Sequence, residues 1–319
     1  MTMTIAPVTP VKKRLKIRVP GSSGNLGPGF DTLALALKVF CRLTLEVDPD
    51  FNDGPLVTLG GSHSQGLSTD SSNLVVKLVL DLLEARQRLE VAKHLKLHIE
   101  NDIPLARGLG SSSAAGIAAL WGAQWLVEED PDLDLCIQAI SQLEGHAENS
   151  AASAIGGMVT VSRSRMGSFE YLSTPWPDSW SLIVVVPPYE VSTPVARKVL
   201  PRSIGVSQAV VNIQNTAMVL SAVMSEDSYL LRTSIFDTIH EPFREVLVPE
   251  LPQLKMALRN GPALGVVLSG AGSSILIITE KYHVEEVLSS INKWQASTGD
   301  KSVILTPEAD HDGLVIEID

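Results

Sequence analysis

Apolar residues alternate with basic ones from Leu15 to Val19, the two-residue period of a half-buried strand. Pro20 ends that alternation, and Gly21-Ser22-Ser23-Gly24 predicts a loop. Leu33 to Val47, rich in Leu, Val and Ala, predicts a long strand. Residues 49–66 carry Pro49, Asp53-Gly54-Pro55 and Gly60-Gly61, and predict turns on the surface. After Ser71 the period lengthens. Leu74, Leu78, Leu82 and Ala85 recur at helical spacing, with Ser71 or Ser72 as candidate cap. Leu95, Leu97 and Ile99 alternate again and lead into a glycine-serine segment. Ala114 to Val127 predicts a helix whose small side chains permit close approach to a sheet. Trp121 and Trp125, four apart, share one of its faces, either as core or as a platform for a base.

Leu133 to Glu144 predicts another helix, and Gly156-Gly157 introduces a strand through Val161. The polar, proline-bearing run Ser162 to Asp178 predicts a boundary between two domains. Beyond it come an apolar strand over Leu182 to Val186, a helix over 206–225 and short helices toward Pro252. A strand-turn-strand follows: Leu264 to Leu268, Ser269-Gly270-Ala271-Gly272-Ser273-Ser274, then Ile275 to Thr279. A helix over Val284 to Trp294 and a terminal strand near Leu314 to Ile316 complete an α+β second domain.

Composition narrows the function classes. The chain has 319 residues, 45% of them hydrophobic and 19% charged, enough for two globular domains. A net charge of -11 supplies no basic surface for a phosphate backbone, so no nucleic-acid partner is expected. No stretch is apolar and long enough to span a bilayer, and residues 1–11 resemble neither a signal peptide nor an anchor. They predict a loose arm, on a soluble cytoplasmic protein without a membrane partner. Lys12-Lys13-Arg14 reads as solvated edge charge, and Cys41 and Cys136 as reduced core residues.

The candidate chemistry centres on Pro104-Leu105-Ala106-Arg107-Gly108-Leu109-Gly110-Ser111-Ser112-Ser113-Ala114. Glycines let backbone approach a ligand, and the N-terminus of the following helix favours an anion such as a nucleotide phosphate. Three serines follow Gly110 where a Walker-type loop would carry its lysine, so backbone N–H groups, hydroxyls and a metal must do the work. No dinucleotide fingerprint, protein-kinase signature or zinc spacing is present. A second constellation comprises Asn25 and Asp31, bracketing Leu26-Gly27-Pro28-Gly29-Phe30, and the turn Glu144-Gly145-His146-Ala147-Glu148-Asn149. Carboxylates there suit an ammonium group. Arg197 and Arg244 are candidate clamps for a carboxylate, or ordinary surface arginines.

Taken together, these segments resemble the GHMP kinases (the galactokinase, homoserine kinase, mevalonate kinase and phosphomevalonate kinase superfamily). Pro104 to Ala115 is similar to that family's phosphate-binding motif, Val19 to Leu33 to the homoserine-kinase form of its first motif, and Leu268 to Ser274 to its third. The resemblance implies a two-domain α+β fold: an N-terminal domain over 13–170 like ribosomal protein S5 domain 2, and a ferredoxin-like α/β sandwich over 171–319. It implies ATP-dependent phosphorylation of L-homoserine, with ATP and Mg²⁺ required and a homodimer compatible. Another small alcohol such as mevalonate, or a non-catalytic metabolite sensor, are the alternatives. On the resemblance, Asn25, Asp31, His146, Glu148, Asn149, Arg197 and Arg244 surround the substrate. Asn73 lies near the base, the 104–114 loop takes the phosphates, Gly270 and Gly272 support it, and Ser112 and Glu144 hold the metal. No general base is assigned. Two departures stand out: Ala147-Glu148-Asn149-Ser150 replaces the usual Pro-Asp-Asn-Val, and Ser273-Ser274 the commoner Pro-Thr.

Overall fold

The computed structural model describes residues 11–127 and 130–318; the expected arm over 1–12 lies almost wholly outside the described residues. In chain order the elements are β1 (Lys13–Gly24), β2 (Leu33–Val47), β3 (Leu56–Gly60), α1 (Leu74–Ala85), β4 (Leu95–Asn101), α2 (Ser111–Leu126), α3 (Leu133–Glu144), α4 (Glu148–Ile155), β5 (Met158–Arg163) and β6 (Phe169–Thr174). They continue as β7 (Trp180–Val186), α5 (Thr193–Lys198), α6 (Val206–Ser225), α7 (Ser228–Ser234), α8 (Glu241–Arg244), α9 (Glu250–Leu258), β8 (Ala263–Leu268), β9 (Ile275–Glu280), α10 (Val284–Thr298), β10 (Val303–Leu305) and β11 (Val315–Ile318).

Two sheets organise the chain. The first runs β11-β1-β2-β4-β3, with β5 paired to β2 and β6 to β5. Its inner side chains alternate as the period predicts: Leu43 and Leu45 on β2 are buried with Leu15 and Ile17 on β1. Truncating Leu45 to Ala there costs about 2–5 kcal/mol. Helix α2 lies close over this layer because Gly122 has no side chain; a Cβ would stand 2.8 Å from Leu45. The second sheet has the order β10-β7-β9-β8, antiparallel throughout, the arrangement of a ferredoxin-like sandwich. Ile183 and Val185 of β7 pack under α9 and α10, whereas Leu182 and Val184 join the core shared with the first sheet. Both faces of β7 are covered, which accounts for its unbroken apolar run.

Several expectations need correction. Strand β1 continues through Pro20 to Gly24, with a register shift between Pro20 and Gly21 that lets the ring sit in the ladder. Residues 49–66 contain β3, parallel to β4, and 162–178 contain β6, which carries the first sheet through Thr174. The terminal strand pairs with β1 rather than completing the second sheet, whose fourth strand is the short β10. The cap of α1 is Asn73, whose Oδ1 accepts the Val75 N–H at 2.9 Å, not Ser71 or Ser72. Helix α2 starts at Ser111, three residues earlier than its apolar pattern implies. Lys13 is not simply solvated: its Nζ donates to the Trp125 and Leu126 carbonyls and lies 4.5 Å from the Trp125 ring centroid.

Candidate functional site

Three loops converge where the two sheets meet. The first joins β1 to β2, and Asn25, Leu26 and Asp31 within it have φ of 74°, 45° and 52°. Side chains seldom adopt that region without local hydrogen bonds. Asn25 provides them: its Oδ1 accepts the Asp31 N–H at 3.1 Å, and its Nδ2 donates to the Gly270 carbonyl at 2.8 Å. The Gly270 N–H donates back to the Gly24 carbonyl at 3.0 Å, so the first loop is tied to the third.

The second loop joins β4 to α2 and lies against both. The Leu109 carbonyl accepts the Ser22 N–H, and the Arg107 carbonyl accepts the Ser274 N–H, at 3.0 and 3.1 Å. Ser269 Oγ donates to the Gly108 carbonyl at 2.7 Å and lies 2.8 Å from Ser23 Oγ. A Cβ on Gly108 would fall 2.0 Å from the Ser269 carbonyl oxygen, and one on Gly110 2.2 Å from Ser22 Oγ. The loop is therefore drawn tight by glycine contacts. Ala114 N–H makes the first intrahelical bond, to the Gly110 carbonyl, leaving the amides of Ser111, Ser112 and Ser113 ahead of it at the positive end of α2. Sixteen residues long, α2 offers a full-length anion site.

Beside this terminus stands Glu144, at the end of α3. Its Oε2 accepts the Ser113 hydroxyl at 2.7 Å, and the Ser112 hydroxyl acts on the same carboxylate. Burial pushes the Glu144 carboxyl above its ordinary range, against Ser113 and the nearby His146. Hydroxyls and one carboxylate at a helix N-terminus are hard oxygen donors of the kind Mg²⁺ uses together with phosphate oxygens. Among the described residues no group of three or more His, Cys, Asp or Glu forms a closed metal cage. The donor set thus suits a metal shared with a nucleotide.

Charges of both signs surround the first loop. Arg197 grips Asp31 bidentately, Nη1 to Oδ2 at 3.0 Å and Nη2 to Oδ1 at 2.9 Å. Arg244 is only 2% exposed; its Nε donates to the Ala196 carbonyl at 3.2 Å and its Nη1 to the Gly270 carbonyl at 3.0 Å. Both guanidiniums lie over the Phe30 ring, 5.6 and 5.2 Å from its centroid. Burial, then the Arg197 charge, pull Arg244 down to about 10, leaving it cationic at neutral pH. Glu148 is buried at the start of α4. Its Oε1 accepts Asn149 Nδ2 at 2.7 Å, while Asn149 Oδ1 accepts Ser22 Oγ at 3.0 Å. Glu148 Oε2 and the neighbouring His146 Nδ1 have no hydrogen-bond partner, although Nδ1 lies 3.1 Å from Oε1. Burial opposes charging His146, yet Glu148, with Glu144 and Asp31 beyond, holds the imidazole above its ordinary 6.5.

Asn25, Asp31, His146, Glu148, Asn149, Arg197 and Arg244 are thus brought together around the three loops. Asn73 has its Oδ1 capping α1 and its Nδ2 donating to the Ser68 carbonyl at 2.8 Å. Arg107 donates from its guanidinium to the Pro187 and Leu105 carbonyls, both at 3.1 Å. His240 was not legible as a site residue. It donates from Nε2 to the Gly27 carbonyl at 2.9 Å, and Nδ1 faces Arg244 Nη1 at 3.3 Å. Its place four residues before Arg244, at the cap of the short helix α8, was the available signal.

Two family models match the chain, GHMP kinases N terminal domain over residues 73–158 and GHMP kinases C terminal over residues 219–296. Homoserine kinase of Aquifex aeolicus is 33% identical over 288 residues, covering 88% of this chain and 94% of the relative. Homoserine kinase of Natranaerobius thermophilus is 31% identical over 284 residues, covering 88% and 90%. The crystal structure of homoserine kinase from Cytophaga hutchinsonii superposes with a TM-score of 0.82 at 25% identity, covering 98% of this chain and 100% of that one.

Proposed function

Because the chain belongs to the GHMP kinase family and groups with its homoserine kinases, we propose that it transfers the γ-phosphoryl group of ATP to the side-chain hydroxyl of L-homoserine. The products are ADP, O-phospho-L-homoserine and a proton, in threonine biosynthesis. One observation carries the choice of an amino-acid substrate: Glu148 Oε2 is buried with no partner, within electrostatic reach of Arg197. An unpartnered buried carboxylate oxygen costs about 1–3 kcal/mol or more, which a substrate ammonium would relieve. Arg244 and Arg197 would take the α-carboxylate of the same molecule.

The phosphates would rest on the amides of Ser111 to Ser113, where the α2 dipole favours negative charge. Glu144 with the Ser113 and Ser112 hydroxyls would hold Mg²⁺, which screens charge on the transferring phosphoryl group. Holding amine and carboxylate at once leaves the homoserine hydroxyl free to point along the loop. Such positioning lowers a barrier by up to roughly 7–11 kcal/mol in ideal intramolecular cases. No side chain is assigned as general base; the hydroxyl proton leaves with the phosphoryl transfer to phosphate oxygen or solvent. Among the described residues no helix is long and apolar enough to cross a membrane, and Cys41 and Cys136 are free and buried. A cytoplasmic setting accords with those thiols.

The test is ADP release from Mg-ATP with L-homoserine, L-threonine, L-serine and mevalonate, the product weighed by mass spectrometry. Turnover confined to L-homoserine, with its KM raised at least tenfold in Glu148→Gln, is expected. Equal turnover of mevalonate would remove the role of Glu148 and reassign the pocket.

A further inference from the structure

Phe30 is an aromatic side chain that hydrophobic packing does not account for. Leu26, four residues earlier in the same loop, joins the core shared by the two sheets, whereas Phe30 is half-buried and belongs to neither apolar cluster. Its ring contacts are polar instead. The His240 imidazole stacks on it, with centroids 5.1 Å apart and 25° between the planes, and Arg244 and Arg197 stand 5.2 and 5.6 Å from its centroid. The backbone on either side of it is pinned. The Pro28 carbonyl accepts Asn212 Nδ2 and Thr216 Oγ1, both at 2.7 Å, and the Phe30 carbonyl accepts the Thr32 hydroxyl at 3.0 Å. Asn25 Oδ1 holds the Asp31 N–H that follows. The ring is thus presented from a fixed place.

The two guanidiniums differ in what else restrains them. Arg244 is buried and donates to two backbone carbonyls, those of Ala196 and Gly270. Arg197 is about one-third exposed, and among the described residues its side-chain hydrogen bonds go to Asp31 alone. An ion pair that open to solvent holds little by itself. The charges of the two arginines also oppose each other, since Arg197 is one of the causes that pull Arg244 down. An aromatic face attracts a guanidinium through its quadrupole and stacks against its plane, and here one ring does so for both.

We propose that Phe30 is a positioning residue whose ring holds the Arg197 and Arg244 guanidiniums together as one receptor for the substrate carboxylate. The inference rests on the reading of this site as that of L-homoserine. Bulk alone does not serve this purpose: an aliphatic side chain fills space but offers a cation no π face.

Two variants of the full chain separate the ring's electron distribution from its bulk, Phe30→Leu without the aromatic face and Phe30→Tyr with it. In the free protein, nitrogen-15 relaxation of the arginine Nε groups should show Arg197 ordered in the wild type and in Phe30→Tyr, and mobile in Phe30→Leu. In steady-state kinetics Phe30→Leu should raise the KM for L-homoserine about tenfold, with kcat and the KM for ATP within about twofold of wild type. Phe30→Tyr should keep all of these near wild type. A Leu variant whose Arg197 stays ordered, or whose KM for L-homoserine does not move, overturns the proposal. So does a Tyr variant as impaired as Leu, or a KM for ATP that rises in step, the mark of a general loosening of the loops. A wild type that does not turn over L-homoserine refutes the substrate reading instead, and the relaxation comparison then decides the role of the ring by itself.

Discussion

His240 provides the sharpest test of how Arg244 is aimed. A carbonyl can only accept and a guanidinium can only donate, so Nε2 of this imidazole carries the hydrogen toward Gly27 and Nδ1 accepts from Arg244. The ring must therefore be neutral. Burial drives its pKa down, outweighing Asp237 and Glu241, with Arg244 adding to the depression. Replacing it with Leu leaves a buried carbonyl and a buried guanidinium N–H without partners. At about 1–3 kcal/mol each, the loss is roughly 2–6 kcal/mol of stability. His240→Asn keeps an acceptor near the Nδ1 position and gives up only the bond to Gly27. Steady-state kinetics in both substrates separate the two roles. Leu should raise the KM for L-homoserine about tenfold or more, the equivalent of roughly 1.4 kcal/mol, with the KM for ATP unchanged. Asn should keep the L-homoserine KM near wild type while lowering stability. The reasoning fails if both variants raise that KM equally, or if the ATP KM moves with it. The linked pH effect has a definite sign. A folded pKa below the unfolded value of about 6.5 means the unfolded chain binds the proton first. Stability from His240 is complete above pH ~6.5 and is lost as the pH falls through the window beneath it; His240→Asn should flatten that decline.

Gly108→Ala, with φ of 74° and a Cβ 2.0 Å from the Ser269 carbonyl, should destabilise the junction by about 1–3 kcal/mol and raise the KM for ATP, while Gly205→Ala, which meets nothing within 4 Å, stays near wild type in urea melts and kinetics. His146 is held above 6.5 and in its charged form competes with a substrate ammonium for Glu148, so the KM for L-homoserine should fall as the pH rises through that titration. A His146→Gln profile as steep as wild type would remove the imidazole from the account. Ser113→Ala breaks the 2.7 Å bond to Glu144 and should raise the Mg²⁺ needed for half-maximal turnover more than Ser112→Ala does; equal or reversed effects would return the leading role to Ser112.

Features set by neighbours along the chain were legible before any fold was known. The alternation over Leu15 to Val19, the helix over Leu133 to Glu144 and the apolar run of β7 announced themselves because burial of a regular element imposes a local period. The glycine loops were legible for a related reason: Gly108 and Gly110 occupy positions where a side chain would collide with Ser269 or Ser22. Short strands escaped that logic. β3 and β10 have too few residues for a period to emerge and pair with longer strands, while β6 lies in a polar, proline-bearing run and exists by pairing with β5. β11 joins the first sheet for the same reason, at the far end of the sequence.

The electrostatics of the site belong to tertiary structure alone. Residues 166 apart make the Asp31–Arg197 grip, and nothing local to either announces the other. Asn25, a candidate ligand by its motif, spends its Nδ2 tying the first loop to Gly270 and its Oδ1 holding the Asp31 N–H within that loop. The side chains of Asn73 and Arg107, candidates on the same ground, bond to a helix cap and to backbone carbonyls, partners that only the fold supplies. His240 gained its role only when folding set Gly27 on one side of the ring and Arg244 on the other. By itself the sequence determined which segments bend, which bury and which can approach a phosphate, since those depend on backbone freedom and hydrophobic period. Only the fold decided which polar groups are satisfied by one another and which, like Glu148 Oε2, go without a partner, because a hydrogen bond depends on distance and angle across the whole chain.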